Sequence, residues 1–426
     1  MPEVYNTLKS ELSHCPERPQ KEQVYMEDET HIWTYIPVSD FDVPSPPASD
    51  AARGAALRLW KPLQNIFNQS KRKLVSEQPQ WDRPPLNLLR SISPDPNWSH
   101  AATQLANELG DDWFENRQSA RLIHAFVAAP GVGIAETLQK LAQQRRLSVL
   151  TAPLPDSMFE TSRSDTATRN AVDESSSEIL VIPHLERWYL RHEDGLAMVR
   201  NLLERLRTLR KRVLLGCDSW GWAFLQQAIG IEDMLGEPQT LAPFDAKRLD
   251  RWFRSSFCFQ RHEFRHSGTG ELVFPDIPNA EELETSTAIA SLAAKARGNP
   301  GVALALWRAC LRTCDAAGDE SAPPVSAAES VIWVVKLDDL APPKLNVDVD
   351  RLHRFVLHSI LLHGGLSQSS LYTILPFSPD DIQRRVSALQ RANVLDEQDE
   401  RLRVTLTAYP LVRRDLQNEG LLTDAF

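Results

Sequence analysis

The chain of 426 residues is too long for one ordinary core and has the length of about two to four domains. Its 42% hydrophobic and 24% charged residues are ordinary for a globular protein, and a formal charge of -10 argues against wholesale binding of nucleic acid or anionic membrane. Five cysteines without framework spacing, no apolar run of membrane-spanning length and no basic–apolar leader at Met1–Ser10 predict a cytoplasmic protein.

Residues 1–96 read as an irregular N-terminal region with an acidic start that includes Glu22, Glu27, Asp28 and Glu29. Pro44, Pro46 and Pro47 break it, as do Pro79, Pro84, Pro85, Pro94 and Pro96. Between these clusters Ala51–Asn68 can form a short helix, with Leu57, Trp60, Leu63 and Phe67 at helical spacing. Packing on the main body is its bland role; a peripheral membrane or partner contact is its sharper one.

Regular periodicity begins at Trp98, and residues 97–243 read as an α/β core. A helix at Ala101–Leu109 precedes a buried strand at Ala120–Ala128, a glycine turn and a helix at Ala135–Arg145. A strand at Leu147–Thr151, a polar loop at Ser162–Ser177, a strand at Ile179–Ile182, a helix at Gly195–Arg210 and a strand at Arg212–Leu215 follow. Strands alternating with helices predict three layers: a parallel sheet with helices on both faces. The arginines of the Gly195–Arg210 helix form either a solvated face or a docking patch for an acidic partner.

Residues 244–320 read as a lid, with a helix at Ala246–Ser255, a hairpin over Phe257–Phe274 and mostly helix from Glu281 to Asp315, interrupted at Gly298-Asn299-Pro300. Residues 321–345 read as a linker and 346–426 as a compact final unit.

The glycine turn of the core reads Ala128-Ala129-Pro130-Gly131-Val132-Gly133-Ile134-Ala135. It resembles the Gly-Pro-Pro-Gly-Val-Gly-Lys-Ser/Thr phosphate loop of AAA+ and STAND-type ATPases. Pro130, Gly131, Val132 and Gly133 match as they stand, while Ile134 replaces the Lys that faces the β/γ-phosphates and Ala135 the hydroxyl that ligates Mg²⁺. The acid expected directly after a buried strand is also missing, because Ile179–Ile182 is followed by Pro183, and the nearest acid is Glu186. Val213–Ser219 resembles the sensor strand, with Cys217 or Asp218 in the polar place, and Gly298-Asn299-Pro300 resembles the lid-helix junction, with Gly301 where an Arg is often found. The resemblance implies a P-loop-type core with a helical lid, no catalytic residues, and at most weak ATP held by Pro130–Ala135 through backbone N–H groups.

His262-Glu263-Phe264-Arg265-His266 spells the zincin pattern, but Phe257, Cys258, Phe259 and Phe264 favour strand. Four residues of strand span about 13 Å, too far for both histidines to hold one zinc. No metal is expected.

Residues 346–426 resemble a winged-helix domain. Arg351–His363 is its first helix, a helix after Ser367 its second, and Ser378-Pro379-Asp380-Asp381 starts its third. Ile382, Val386 and Leu389 form that helix's apolar stripe, leaving Gln383, Arg384, Ser387, Gln390 and Arg391 as candidate contacts to nucleic acid or a partner. The acids Asp396, Glu397, Asp399 and Glu400 on the wing oppose DNA phosphates, so a protein partner is the first expectation and DNA the alternative. Together these features predict a non-catalytic interaction or regulatory scaffold; a weak nucleotide-binding switch and a DNA-binding regulator are the alternatives.

Overall fold

The computed structural model describes residues 32–46, 81–115, 121–153, 178–208, 211–256, 262–275, 285–314, 330–340 and 350–426. The helix predicted at Ala51–Asn68 and the loop predicted at Ser162–Ser177 lie outside them. Among the described residues no helix is long and apolar enough to cross a membrane.

The core begins before the region read from sequence. Strand β1 (Tyr35–Pro37) and a second short strand, β2 (Trp81–Asp82), precede helix α1 (Trp98–Leu109). Then come β3 (Ile123–Ala128), α2 (Ile134–Arg145), β4 (Ser148–Val149), β5 (Ile179–Ile182), α3 (Ala197–Thr208), β6 (Arg212–Asp218), α4 (Ser219–Ile229) and β7 (Gln239–Leu241). Strands β1 and β3 to β7 build a six-stranded sheet in the order β1-β7-β3-β6-β5-β4. Strands β3 to β7 pair in parallel, and β1 adds an antiparallel edge on β7. All four residues of β5 are buried, as expected of an interior parallel strand covered on both faces. The result is an α/β core with a P-loop-like strand, glycine turn and helix at β3–α2.

The N-terminal region read as irregular is corrected by the structure. Tyr35–Pro37 is part of the main sheet, and Trp33 packs among Trp98, Phe244 and Trp252. A three-residue strand surrounded by polar and proline-rich sequence carries too little periodicity to be read in advance.

The lid contains α5 (Ala246–Ser256), β8 (His262–His266), α6 (Thr287–Lys295), α7 (Pro300–Cys310), β9 (Leu311–Cys314) and β10 (Ser330–Val334). The helix expected to run to Asp315 stops at Cys310, and the chain continues as strand β9. The stretch read as a linker holds β10, which pairs parallel with β8 and antiparallel with β9. Strand β2 completes this sheet in the order β2-β9-β10-β8. The apolar face explains it: Phe264, Ile332 and Val334 are buried with Trp307, Phe253 and Phe274. The turn predicted across Ser267–Gly270 is present, with Val273 N–H donating back to the Phe264 carbonyl (2.9 Å).

The final unit comprises α8 (Arg351–Leu362), α9 (Gln368–Ile374), α10 (Pro379–Arg391), the antiparallel hairpin β11 (Leu395–Gln398) and β12 (Arg401–Val404), and α11 (Tyr409–Asn418). Its helix starts follow the sequence signals. Asp350, Ser367 and Ser378 each accept a first-turn N–H, and Pro379 stands at the start of α10. Asp399 and Glu400 turn the hairpin with φ of 51° and 60°, the sign a tight two-residue turn demands.

This unit is docked on the core through buried polar contacts. Tyr189 Oη donates to the Leu362 carbonyl (2.6 Å), and Trp220 Nε1 donates to Tyr409 Oη (3.0 Å). Asp424 accepts from Ser219 Oγ (2.5 Å), Tyr409 Oη (3.2 Å) and Arg413 Nε (2.9 Å). Removing one member of such a buried pair strands the other. Asp424→Ala is therefore expected to lower the unfolding free energy by about 3 kcal/mol, measured by urea denaturation followed by tryptophan fluorescence. A loss below about 0.5 kcal/mol would show that the network is not structural.

Candidate functional site

The site forms where the C-terminal ends of β3, β5 and β6 meet the final unit. Strand β3 ends at Ala128, and the chain turns through Gly131 and Gly133, whose φ values are 91° and 81°. Side chains resist that conformation, so glycine is required at both places. Gly133 caps α2, and its carbonyl accepts the Thr137 N–H (2.9 Å). The turn thereby aims the positive end of α2 into the cleft.

Three neighbours close on the turn. The indole of Trp98 fills the space over Gly133, where an added Cβ would lie 2.2 Å from the ring. The Leu406 side chain lies over Gly131, 2.7 Å from where a Cβ would stand. From below, α7 starts against the loop: a Cβ on Gly301 would come 2.2 Å from the Gly131 carbonyl oxygen. Asn299 fixes that contact, since its Nδ2 donates to the Pro130 carbonyl (2.8 Å) while its Oδ1 accepts the Val302 N–H (3.0 Å). A cleft of about 360 Å³ remains, bounded by the turn, Pro183–Arg187, Cys217–Asp218, Gly364–Gly365 and strand β12.

The sequence-predicted loop residues Pro130, Gly131, Val132, Gly133, Ile134 and Ala135 lie together at this turn. Ile134 and Val132 are turned into the core. Lys140, the nearest lysine on α2, is exposed and its Nζ donates to Gln143 Oε1 (3.4 Å). Glu136 lines the cleft instead.

After β5 the acid Glu186 is almost wholly buried, at 2% exposure. His184 Nδ1 lies 2.8 Å from Glu186 Oε1, the Asp218 N–H donates to Oε2 (3.1 Å), and Arg187 Nε is 3.9 Å away. Burial pushes this carboxyl upward, but His184, Arg187 and the Asp218 N–H outweigh it and hold the group below the usual glutamate range. Gly221 and Gly364 press on it; a Cβ at either would fall within 2.6 Å or 2.9 Å of Glu186 side-chain atoms. Glu186 thus accepts from the cap residue of α4 and packs against the Gly364 turn of the final unit. Asp218 accepts the Trp220 N–H (3.0 Å) as the cap of α4, and burial beside Glu186 drives its carboxyl well upward.

Sequence reading did not single out Trp98, Leu406, Arg187 or Arg403 for this site. Arg403 reaches the cleft from β12, and among the described residues its Nε and that of Arg187 have no hydrogen-bond partner. Gly298-Asn299-Pro300 was legible as a junction between helices, but the cap at Asn299 and its bond to the Pro130 carbonyl could not be inferred.

The candidate contacts on α10 are arranged differently. Gln383 accepts from Tyr372 Oη (2.9 Å) and from Gln368, Arg384 donates to Asp381 (2.5 Å), and Arg391 Nε donates to the Ser387 carbonyl (3.2 Å). Gln383, Arg384 and Arg391 are exposed, while Ser387 and Gln390 are half-buried. The hairpin read as a wing turns Asp396, Gln398 and Arg403 toward the cleft. His262 and His266 sit at the two ends of strand β8, in the extended conformation that keeps them apart.

No family model and no curated protein matches the chain. Among solved structures, one titled "Structural Basis for Katanin Self-Assembly" aligns with 70% of this chain and 79% of its own, at 11% identity and a TM-score of 0.29. Cdc6p from Pyrobaculum aerophilum aligns with 77% of this chain and 95% of its own, at 11% identity and a TM-score of 0.30. Likeness at that level carries no weight beside the chain's own geometry.

Because the Glu186 carboxyl titrates below the unfolded glutamate, its stabilisation is complete above the unfolded range and is lost as pH falls through the folded value. Glu186→Gln should cost about 1–3 kcal/mol at neutral pH, and the difference from the parent chain should shrink in acid. Denaturation curves at several pH values test this; a difference that grows in acid contradicts the assignment.

Proposed function

We propose that this chain is a non-catalytic interaction or regulatory scaffold: an AAA+/STAND-type P-loop core whose phosphate site is packed by its own lid and by a C-terminal winged-helix unit. The observation that carries this reading is the filling of the turn. Trp98 and Leu406 occupy the space over Gly133 and Gly131, in a loop with Ile134 and Ala135 where a lysine and a hydroxyl would serve a phosphate and Mg²⁺. Glu186, the nearest acid to the metal position, is spent on holding α4 and the Gly364 turn.

A specific observation favours a second reading, a weak nucleotide-binding switch. The cleft keeps about 360 Å³ of space beside the N-terminal end of α2, with Arg187 and Arg403 on its walls. In that reading a nucleotide would enter only after the hairpin withdrew. DNA binding is the less favoured reading, because the hairpin faces the core and its turn carries Asp399 and Glu400.

Lost charge-assisted contacts of about 1.5–3 kcal/mol each imply ATP affinity no better than about millimolar. Calorimetric titration with MgATP is expected to show no saturable binding at micromolar concentrations, and no Mg²⁺-dependent hydrolysis should accompany it. Ile134→Lys with Ala135→Thr should leave binding weak, and adding Leu406→Ala should strengthen it. Micromolar affinity in the parent chain would favour the switch; hydrolysis abolished by Glu186→Gln would make the chain an enzyme.

A further inference from the structure

An open groove of about 1180 Å³ runs between the lid and the final unit. Its lining includes Arg83, Lys295, Arg297, Arg391, Arg413 and Arg414, and no carboxylate among the described residues. That is a concentration of positive charge in a chain whose overall charge is -10. Three of the six are already engaged: Lys295 with Asp338 (2.5 Å), Arg297 with the Phe426 carbonyl (3.1 Å) and Arg413 with Asp424 (2.9 Å). Arg83, Arg391 and Arg414 are exposed and have no ion pair among the described residues. Arg312 stands close enough to Arg83 that its guanidinium, lowered first by burial, is lowered further by that neighbour. Among the described residues no carboxylate pairs with the guanidiniums of Arg83, Arg391 and Arg414.

Between the cations the walls are apolar. Leu306 of α7, Leu337 and Leu340 after β10, and Leu411 of α11 line the groove and are half-buried. Aromatic rings on which bases could stack are missing from its described lining. A nucleic-acid backbone would use the arginines and gain little from the leucines, whereas a peptide that mixes carboxylates with apolar side chains uses both.

We infer that this groove receives an acidic peptide segment of a partner protein, its carboxylates on Arg83, Arg391 and Arg414 and its apolar side chains on Leu306, Leu337, Leu340 and Leu411. The inference rests on the interaction-scaffold reading for the existence of a partner, but not on the state of the phosphate loop. Because lid and final unit each supply a wall, the peptide also clamps the two together.

Fluorescence anisotropy of a labelled peptide of alternating glutamate and leucine, titrated with the full chain at near-physiological salt, tests it. Saturable binding is expected, weakened about tenfold or more when Arg83, Arg391 and Arg414 are all changed to Glu. Milder Arg→Gln changes at the same three exposed positions should weaken it less and leave the near-ultraviolet circular dichroism unchanged. Leu406→Ala should leave peptide binding unaltered, so that failure of the phosphate-site reading is separable from failure here. Absence of saturable binding, or equal binding by the triple variant, overturns the inference. Tighter retention of duplex DNA through the same arginines assigns the groove to nucleic acid instead. Binding that emerges only after residues 1–31 are removed assigns it to the chain's own acidic segment and overturns a partner as its occupant.

Discussion

The backbone of α7 meets the glycine turn after β3 with no room for a side chain between them. A Cβ on Gly301 would lie 2.2 Å from the Gly131 carbonyl oxygen, so α7 can start there only because position 301 is glycine. Asn299 locks the approach by capping α7 with one atom of its amide and bonding the Pro130 carbonyl with the other. With lid and turn held this close, Trp98 is wedged over Gly133 and Leu406 over Gly131. The turn after β3 is thus an internal contact between three parts of the chain: α1 through Trp98, α7 through Gly301 and the segment after β12 through Leu406.

The final unit depends on that contact and also supports it. Leu406 follows strand β12, and the segment beyond it leads through Tyr409 and Arg413 to Asp424, which is tied back to Ser219 at the start of α4. Glu186 stands between these regions, receiving the Asp218 N–H from the core while Gly364 closes on its carboxylate. Each of these polar groups is too buried to be left unpaired without a cost of about 1–3 kcal/mol. Withdrawal of the final unit would therefore disturb the Glu186 and Asp424 networks together.

Much of the core was legible in the amino-acid order because its strands are short apolar runs bounded by turn residues. Ile179–Ile182 falls where the hydrophobic run does, and the helix starts at Ser367 and Ser378 follow from cap residues. The edge strand Tyr35–Pro37 and the lid strand Ser330–Val334 were not legible, because each is stabilised by a partner far away in the chain, Gln239–Leu241 and His262–His266. The six residues of the turn could be named from their glycines. What covers them could not, since Trp98 and Leu406 are more than 30 and 270 residues away from it and look like ordinary core positions. The α10 residues Gln383 and Arg384 were readable as exposed, but their bonds to Tyr372 and Asp381 depend on side-chain geometry that spacing does not reveal.

The glycine turn and the final unit should accordingly behave as one cooperative element. Hydrogen exchange at the amides of residues 131–136 and 402–406, followed with and without MgATP, tests this most directly. Both segments are expected to show the same slow exchange whether or not nucleotide is present, and to lose protection together in Asp424→Ala. Protection of the turn by MgATP, or faster exchange at 402–406 on its addition, would contradict the reading and show a phosphate site that opens to its ligand.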